Sequence, residues 1–164
     1  MTVSDFIKIL RARLNDEAKK IWTDSELRAY INDAITQLSI ELLNAKDMSM
    51  ITELAIIPGT TSVPDGFLRF AGQYPIYISN GTFCSLSGST VETTVRYWAV
   101  KTHVQSNGDN IPFDAALANT SLLNYSIFAA GLKAGYDSQS EVSLAQKATD
   151  GLTGKVSVNA EAGK

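Results

Sequence analysis

The side chains with the widest chemical range are scarce in this sequence, which has a single histidine, His103, and a single cysteine, Cys84. A hydrolytic triad on His103 needs a nucleophile and an orienting acid. The only candidate acid, Asp109, lies in the same polar stretch, THVQSNGDNIP, with no recognisable Ser-Asp pattern. Cys84 stands between Phe83 and Leu86 in a strand-like run, so its thiol is expected to face the sheet interior; a nucleophilic cysteine needs surroundings that stabilise the thiolate. One cysteine excludes an internal disulfide and a cysteine-based metal cluster, and no HxxxH or CxxC spacing offers a metal site. The carboxylate pairs Asp24/Glu26 and Asp33/Glu41 have the right types for acid–base work, but a solvated helix face produces such pairs routinely. The GDN and SGS stretches match neither GxGxxG nor GxxxxGK[ST], so no phosphate cradle is expected. Arg96-Tyr97-Trp98 offers a cation beside aromatics, as in base stacking. On a strand, however, Arg96 and Trp98 share one face and Tyr97 takes the other, which suits a sheet packed on helices. No catalytic residue, cofactor or metal ligand is expected, and the chain does not read as an enzyme.

Composition agrees with this. An apolar fraction of 45%, 19% charged residues and a net charge of −3 are ordinary globular values. Lys8, Arg11, Arg13, Lys19 and Lys20 gather near the N-terminus but are interrupted by Asp16 and Glu17. They read as a solvated helix face rather than the basic stripe of a duplex-binding surface. No apolar run approaches the ~18 residues of a membrane span, and MTVSDFIKIL lacks the basic start and apolar centre of a signal peptide. The chain is therefore expected in the cytoplasm when made, with no membrane partner.

The elements that hold these residues follow from periodicity. Val3, Phe6, Ile7, Leu10 and Leu14 line one face of a helix over about 3–14, capped by Thr2 or Ser4. Leu27, Tyr30, Ile31, Ala34, Ile35, Leu38 and Leu42 predict a second helix over 23–43. At its start Thr23 and Glu26 have capping-box spacing, Trp22 and Leu27 occupy the hydrophobic-staple positions, and Asp24 and Glu26 sit at the positive end of the helix dipole. Beyond residue 47 the pattern turns to β-branched and aromatic residues, with strands expected at 51–57, 75–79, 82–87 and 92–100. Asn80-Gly81 predicts a hairpin between the middle two. In VPDGF, 63–67, Pro64 presets the first torsion of a turn and Gly66 takes a positive one. Pro112 suits the first position of a third helix, 112–134, carrying Leu117, Leu122, Leu123, Ile127 and Phe128. Its alanines and glycines allow close packing. Ser138 and Glu141 repeat the capping-box spacing at the head of a fourth helix, 138–152. The expected fold is α+β and mainly helical, a four-helix bundle with an inserted block of short antiparallel strands over 51–100. Residues 1–152 form a single domain, followed by a mobile tail, 153–164.

Several short motifs resemble, in order, those of tailed-bacteriophage head-to-tail adaptor proteins (connectors, or head-completion proteins). IWTDSELRAYINDA is similar to that family's W-[ST]-D-x-E-L-x-x-[YW]-[IL]-N-D-A signature at Trp22, Thr23, Asp24, Glu26, Leu27, Tyr30, Ile31, Asn32, Asp33 and Ala34. VPDGFLRF carries Pro64, Phe67 and Arg69 of a Pro-x-x-Phe-Leu-Arg turn. VRYWA supplies Arg96 and Trp98 of an Arg-Tyr-Trp strand, and IPFDAAL supplies Pro112, Phe113 and Asp114 ahead of the C-terminal helices. The matches together span about residues 5–150.

The resemblance implies a structural virion protein at the head-tail junction. It implies a ring of twelve copies below the portal that extends the DNA channel, with portal protein, tail or neck proteins and further copies of itself as partners. DNA would pass through the lumen without being read by sequence, which a mildly acidic subunit favours. The tail, 153–164, would order on reaching the portal. The alternatives are a tail-completion or neck protein farther from the portal and, in another class, a helix-turn-helix DNA-binding regulator built on 3–14 and 23–43. The regulator is disfavoured by the long connection, 15–22, and the acidic start of the second helix.

Overall fold

The computed structural model describes residues 1–135 and 139–154. The order of elements is α1 (Val3–Arg13), α2 (Asp24–Asn44), a single 3-10 turn (Met48–Met50), β1 (Ile51–Ile56), β2 (Phe67–Phe70), β3 (Ile76–Ser79), β4 (Thr82–Ser85), β5 (Thr93–Ala99), α3 (Ala116–Ala134) and α4 (Gln139–Thr153). This is a mainly helical α+β fold with the strands inserted between α2 and α3. The chain divides into two compact units, Leu43–Thr102 and the helical segments on either side of it.

In the helical unit, the apolar stripe of α1 is buried at Val3, Phe6, Ile7, Leu10 and Leu14. Thr2 is the cap, its hydroxyl accepting from the Asp5 amide at 3.2 Å. The α2 stripe is buried at Leu27, Ile31, Ala34, Ile35, Leu38 and Leu42, while Tyr30 is half-buried. α3 begins four residues later than Pro112 suggests, with Ala115 as its N-cap and no side-chain cap. Burial explains the shift. Ile111 and Phe113 are both buried, and the Ile111 amide donates to the Met1 carbonyl at 3.0 Å, which holds this stretch out of helical geometry. α3 and α4 then pack closely through small and hydroxyl side chains. Ser121 Oγ donates to the Ala145 carbonyl at 3.3 Å, and Thr149 Oγ1 donates to Ser121 Oγ at 3.1 Å. Ser138, the expected cap of α4, and residues 155–164 of the expected tail lie outside the described residues; Thr153 closes α4.

The strand unit holds two antiparallel sheets, β1-β5-β2 and β3-β4. Glu53 pairs with Arg96, and Arg69 with Trp98. β2 escaped the sequence reading. Its four residues are only half-buried or exposed, so no local apolar run announces it. The hairpin at Asn80-Gly81 has positive φ at both central residues, +48° and +72°, matching the right-handed twist of the strands it joins. In the Pro64–Phe67 turn, the Phe67 amide donates to the Pro64 carbonyl at 3.2 Å. Pro64 is thus the first residue of the turn, and Asp65, not Pro64, takes the first central torsion. Gly66 is required here: its φ is +78°, and a Cβ would stand 2.9 Å from the Val100 carbonyl oxygen.

Ile56, Ile76, Phe83 and Val95 form the core of this unit, joined by Leu54, Val63, Phe67, Phe70 and Tyr74. Its inner face is therefore packed by strand residues and aromatics from both sheets. Phe83 is fully buried and alternation sends Cys84 to the opposite face, where it is half-buried. This corrects the expectation of an inward-facing thiol.

Candidate functional site

The segment from Trp22 to Ala34 is fixed from below by a buried ionic network. Arg11 lies in the apolar stripe of α1 and is 4% exposed. Its Nη1 donates to Asp16 Oδ2 at 2.7 Å, and its Nη2 donates to Asp24 Oδ1 at 2.6 Å and to the Trp22 carbonyl at 2.9 Å. Asp16 is 3% exposed and accepts from the backbone amides of Lys20, Ile21 and Trp22 at 2.7, 3.0 and 3.2 Å. Burial alone would raise the Asp16 pKa; the amides of Ile21, Lys20 and Trp22, together with Arg11, outweigh it and hold the carboxyl below its usual range. The Asp24 carboxyl is likewise lowered, chiefly by its bond from Arg11 and then by Lys19, whose Nζ is 3.3 Å from Oδ2. Arg11 and Asp16 are therefore not part of a solvated basic face. They close the loop between α1 and α2 and set the direction in which α2 begins.

The start of α2 is a complete capping box. Thr23 Oγ1 accepts from the Glu26 amide at 3.2 Å, and Glu26 Oε2 accepts from the Thr23 amide at 2.9 Å and from its hydroxyl at 3.0 Å. Glu26 Oε1 is bonded by Lys133 Nζ near the end of α3. Lys133 first, then the Thr23 groups, push the Glu26 pKa down to about 2. Trp22 and Leu27, at the staple positions, are both buried.

One turn on, Asn32 grips the backbone of Val104: its Nδ2 donates to the Val104 carbonyl at 3.0 Å, and its Oδ1 accepts from the Val104 amide at 2.9 Å. Arg28 donates to Asn107 Oδ1 at 2.9 Å, so the same loop is held twice. Asp109 closes that loop, accepting from the Gln105 and Ser106 amides at 2.6 and 2.9 Å, while its own carbonyl accepts from the Val3 amide at 2.8 Å. The Ser106 hydroxyl, then the two amides, hold the Asp109 carboxyl below its usual range. His103 pairs with Thr36 Oγ1 at 2.8 Å, and Asp109 is spent on Gln105 and Ser106.

The remaining motif residues are distributed. Asp33 is exposed, beside an apolar groove described below. Phe67 stacks in the strand core, with ring centroids 5.2 Å from Tyr97 and 5.6 Å from Phe83. Arg69 lies 5.9 Å from the half-buried Trp98 ring, and the exposed Arg96 pairs with Glu53 across the strands at 3.2 Å. Arg96, Trp98 and Arg69 thus share one sheet face, with Val95 and Tyr97 buried on the other. Pro112 is half-buried, Phe113 is buried, and Asp114 is exposed ahead of α3 without capping it.

Among the described residues no group of three or more His, Cys, Asp or Glu side chains could hold a metal ion, and no helix is long and apolar enough to cross a membrane. Thr23, Asp24, Glu26 and Asn32 are occupied with a cap, a buried pair and a clamp, an arrangement that can hold a surface in place, whereas Asp33 and Asp114 stay exposed. The sequence reading missed Arg11 and Asp16. The available signal was that position 11 falls between Leu10 and Leu14 on the apolar stripe of α1, where a solvated arginine does not belong. No curated protein matches the chain. The family model for SU10 adaptor protein matches residues 1–88, which include α1, the ionic network, α2 and the strands through β4.

Proposed function

Because the chain belongs to the SU10 adaptor protein family and is a structural adaptor of bacteriophage, we propose that it forms the ring beneath the portal that joins the DNA-filled head to the tail. One observation carries this reading: the family match covers the segment in which the buried Arg11 and Asp16, with Asp24, are paired with one another and fix the start of α2. In the proposed assembly twelve copies form the ring, the portal docks on one side, tail or neck proteins dock on the other, and DNA passes through the lumen. The net charge of −3 suits a channel that must release DNA, since a subunit that neutralised many phosphates would retain it. The protein then works in the virion at the head-tail junction and in the host cytoplasm during assembly.

Mixing purified protein with portal rings and with duplex DNA over a range of salt tests the proposal. An adaptor co-sediments with the portal and shows weak DNA affinity independent of sequence. Indifference to the portal together with sequence-specific, salt-sensitive DNA binding would replace this reading with that of a regulator. α1 and α2 argue against the regulator, because ten residues separate Arg13 from Asp24 and α2 begins with Asp24 and Glu26.

A further inference from the structure

We propose that the apolar groove formed by α2, α3 and α4 receives the outer face of α1 from a second copy of this chain. The inference rests on the reading of the protein as a ring-forming adaptor and names the contact that joins neighbouring subunits. The groove holds about 340 Å³ and is lined by Ala34, Phe128, Ala129 and Val142, with Asp33 alongside and no Lys or Arg. Its wall is electronegative. Tyr125, also in the lining, donates its hydroxyl to Glu41 Oε1 at 2.7 Å, and Gln37 donates to the same oxygen at 2.8 Å. Glu41 Oε2 is buried without a partner among the described residues. Burial raises the Tyr125 pKa, and the bond and charge of Glu41, with Asp150 beyond, raise it further.

α1 carries the complementary surface. Asp5, Lys8, Ile9, Ala12 and Arg13 are exposed at the 3,4 spacing of one helix face, opposite the buried stripe, and Ile9 is 44% exposed at its centre. A helix enters a groove through such i, i+3 and i+4 anchors. Ile9 supplies the apolar anchor and Arg13, one turn on, supplies positive charge. Among the described residues Arg13 has no carboxylate partner and Asp33 has no basic one, so each is available to a neighbour. A patch on α1 meeting a different patch on α2–α4 is a head-to-tail contact, the kind that repeats around a closed ring.

Charge reversal tests the pairing. Asp33→Arg, Arg13→Asp and the double variant are loaded on portal rings and bound subunits are counted by native mass, with melting curves confirming that each variant folds. Each single reversal is expected to raise the half-saturating concentration about tenfold or more, and the double to return it to near the wild-type value. Folded single variants that load like wild type, or a double variant that stays impaired, would overturn the contact. A wild-type chain that ignores the portal counts instead against the proposed function. The contact is then decided by mixing Ile9→Cys and Val142→Cys chains, both in a Cys84→Ser background, at high concentration. Disulfide-linked pairs of the two chains support it, and their absence overturns it.

Discussion

Arg11 sits among the apolar residues of α1 and remains charged because its guanidinium fork meets Asp16, Asp24 and the Trp22 carbonyl at once. Lysine is a point charge and cannot reproduce that fork. Removing Arg11 leaves Asp16 buried without its counter-ion, so Arg11→Ala is expected to lower unfolding free energy by about 3 to 5 kcal/mol in urea titrations, with Arg11→Lys recovering only part of it. Trp22 is 1% exposed, and Trp22→Ala is expected to cost about 3 to 5 kcal/mol through the cavity it leaves. Thr23→Ala, which removes one half of the capping box, is expected to cost about 1 kcal/mol. Both are read from the same titrations. Acid dependence follows from Glu26. Its folded pKa is depressed to about 2 from 4.5, so its contribution is fully present above pH 4.5 and is lost as pH falls through the folded value. Asp16 and Asp24, also lowered, act in the same direction. Stability measured at pH 5 should therefore exceed that at pH 2, and Lys133→Met should flatten the slope, because Lys133 is the largest cause of the Glu26 shift.

At the scale of elements, α1 and α2 were legible because each buries a stripe with the period of an isolated helix, and the capping box was legible because Thr23 and Glu26 lie three residues apart. The ionic network was not. It joins residues 5 and 13 apart through a loop whose path is set by Asp16 collecting backbone amides. β2 depends on pairing with β5, about thirty residues later, and so has no local signature. The phase of β4 was misread for a related reason, since only the packed core decides that Phe83 faces inward and Cys84 outward. At the site, the sequence motif marked Asn32 and Asp33 without distinguishing their tasks. The structure separates the clamp on Val104 from the exposed carboxylate beside the groove. The turns offer a direct test. Gly66→Ala combines a positive φ with a Cβ contact at 2.9 Å and should destabilise clearly more than Gly81→Ala, where the space is open and the left-handed torsion alone costs about 1 to 2 kcal/mol. Thermal melts of the two variants compare them.

On the scale of the whole molecule, the buried Arg11–Asp16 pair fixes the start of α2, Asn32 and Arg28 hold the 103–111 loop, and among the described residues no group of three or more His, Cys, Asp or Glu could hold a metal ion. The chain belongs to the SU10 adaptor protein family, and an adaptor acts through the surface it presents. The central claim is that this surface is completed on the portal. The native mass of complexes formed between the purified chain and portal rings tests it most directly. A discrete complex with one full ring of twelve copies on each portal is expected. Portal rings whose mass is unchanged by excess folded protein would contradict it.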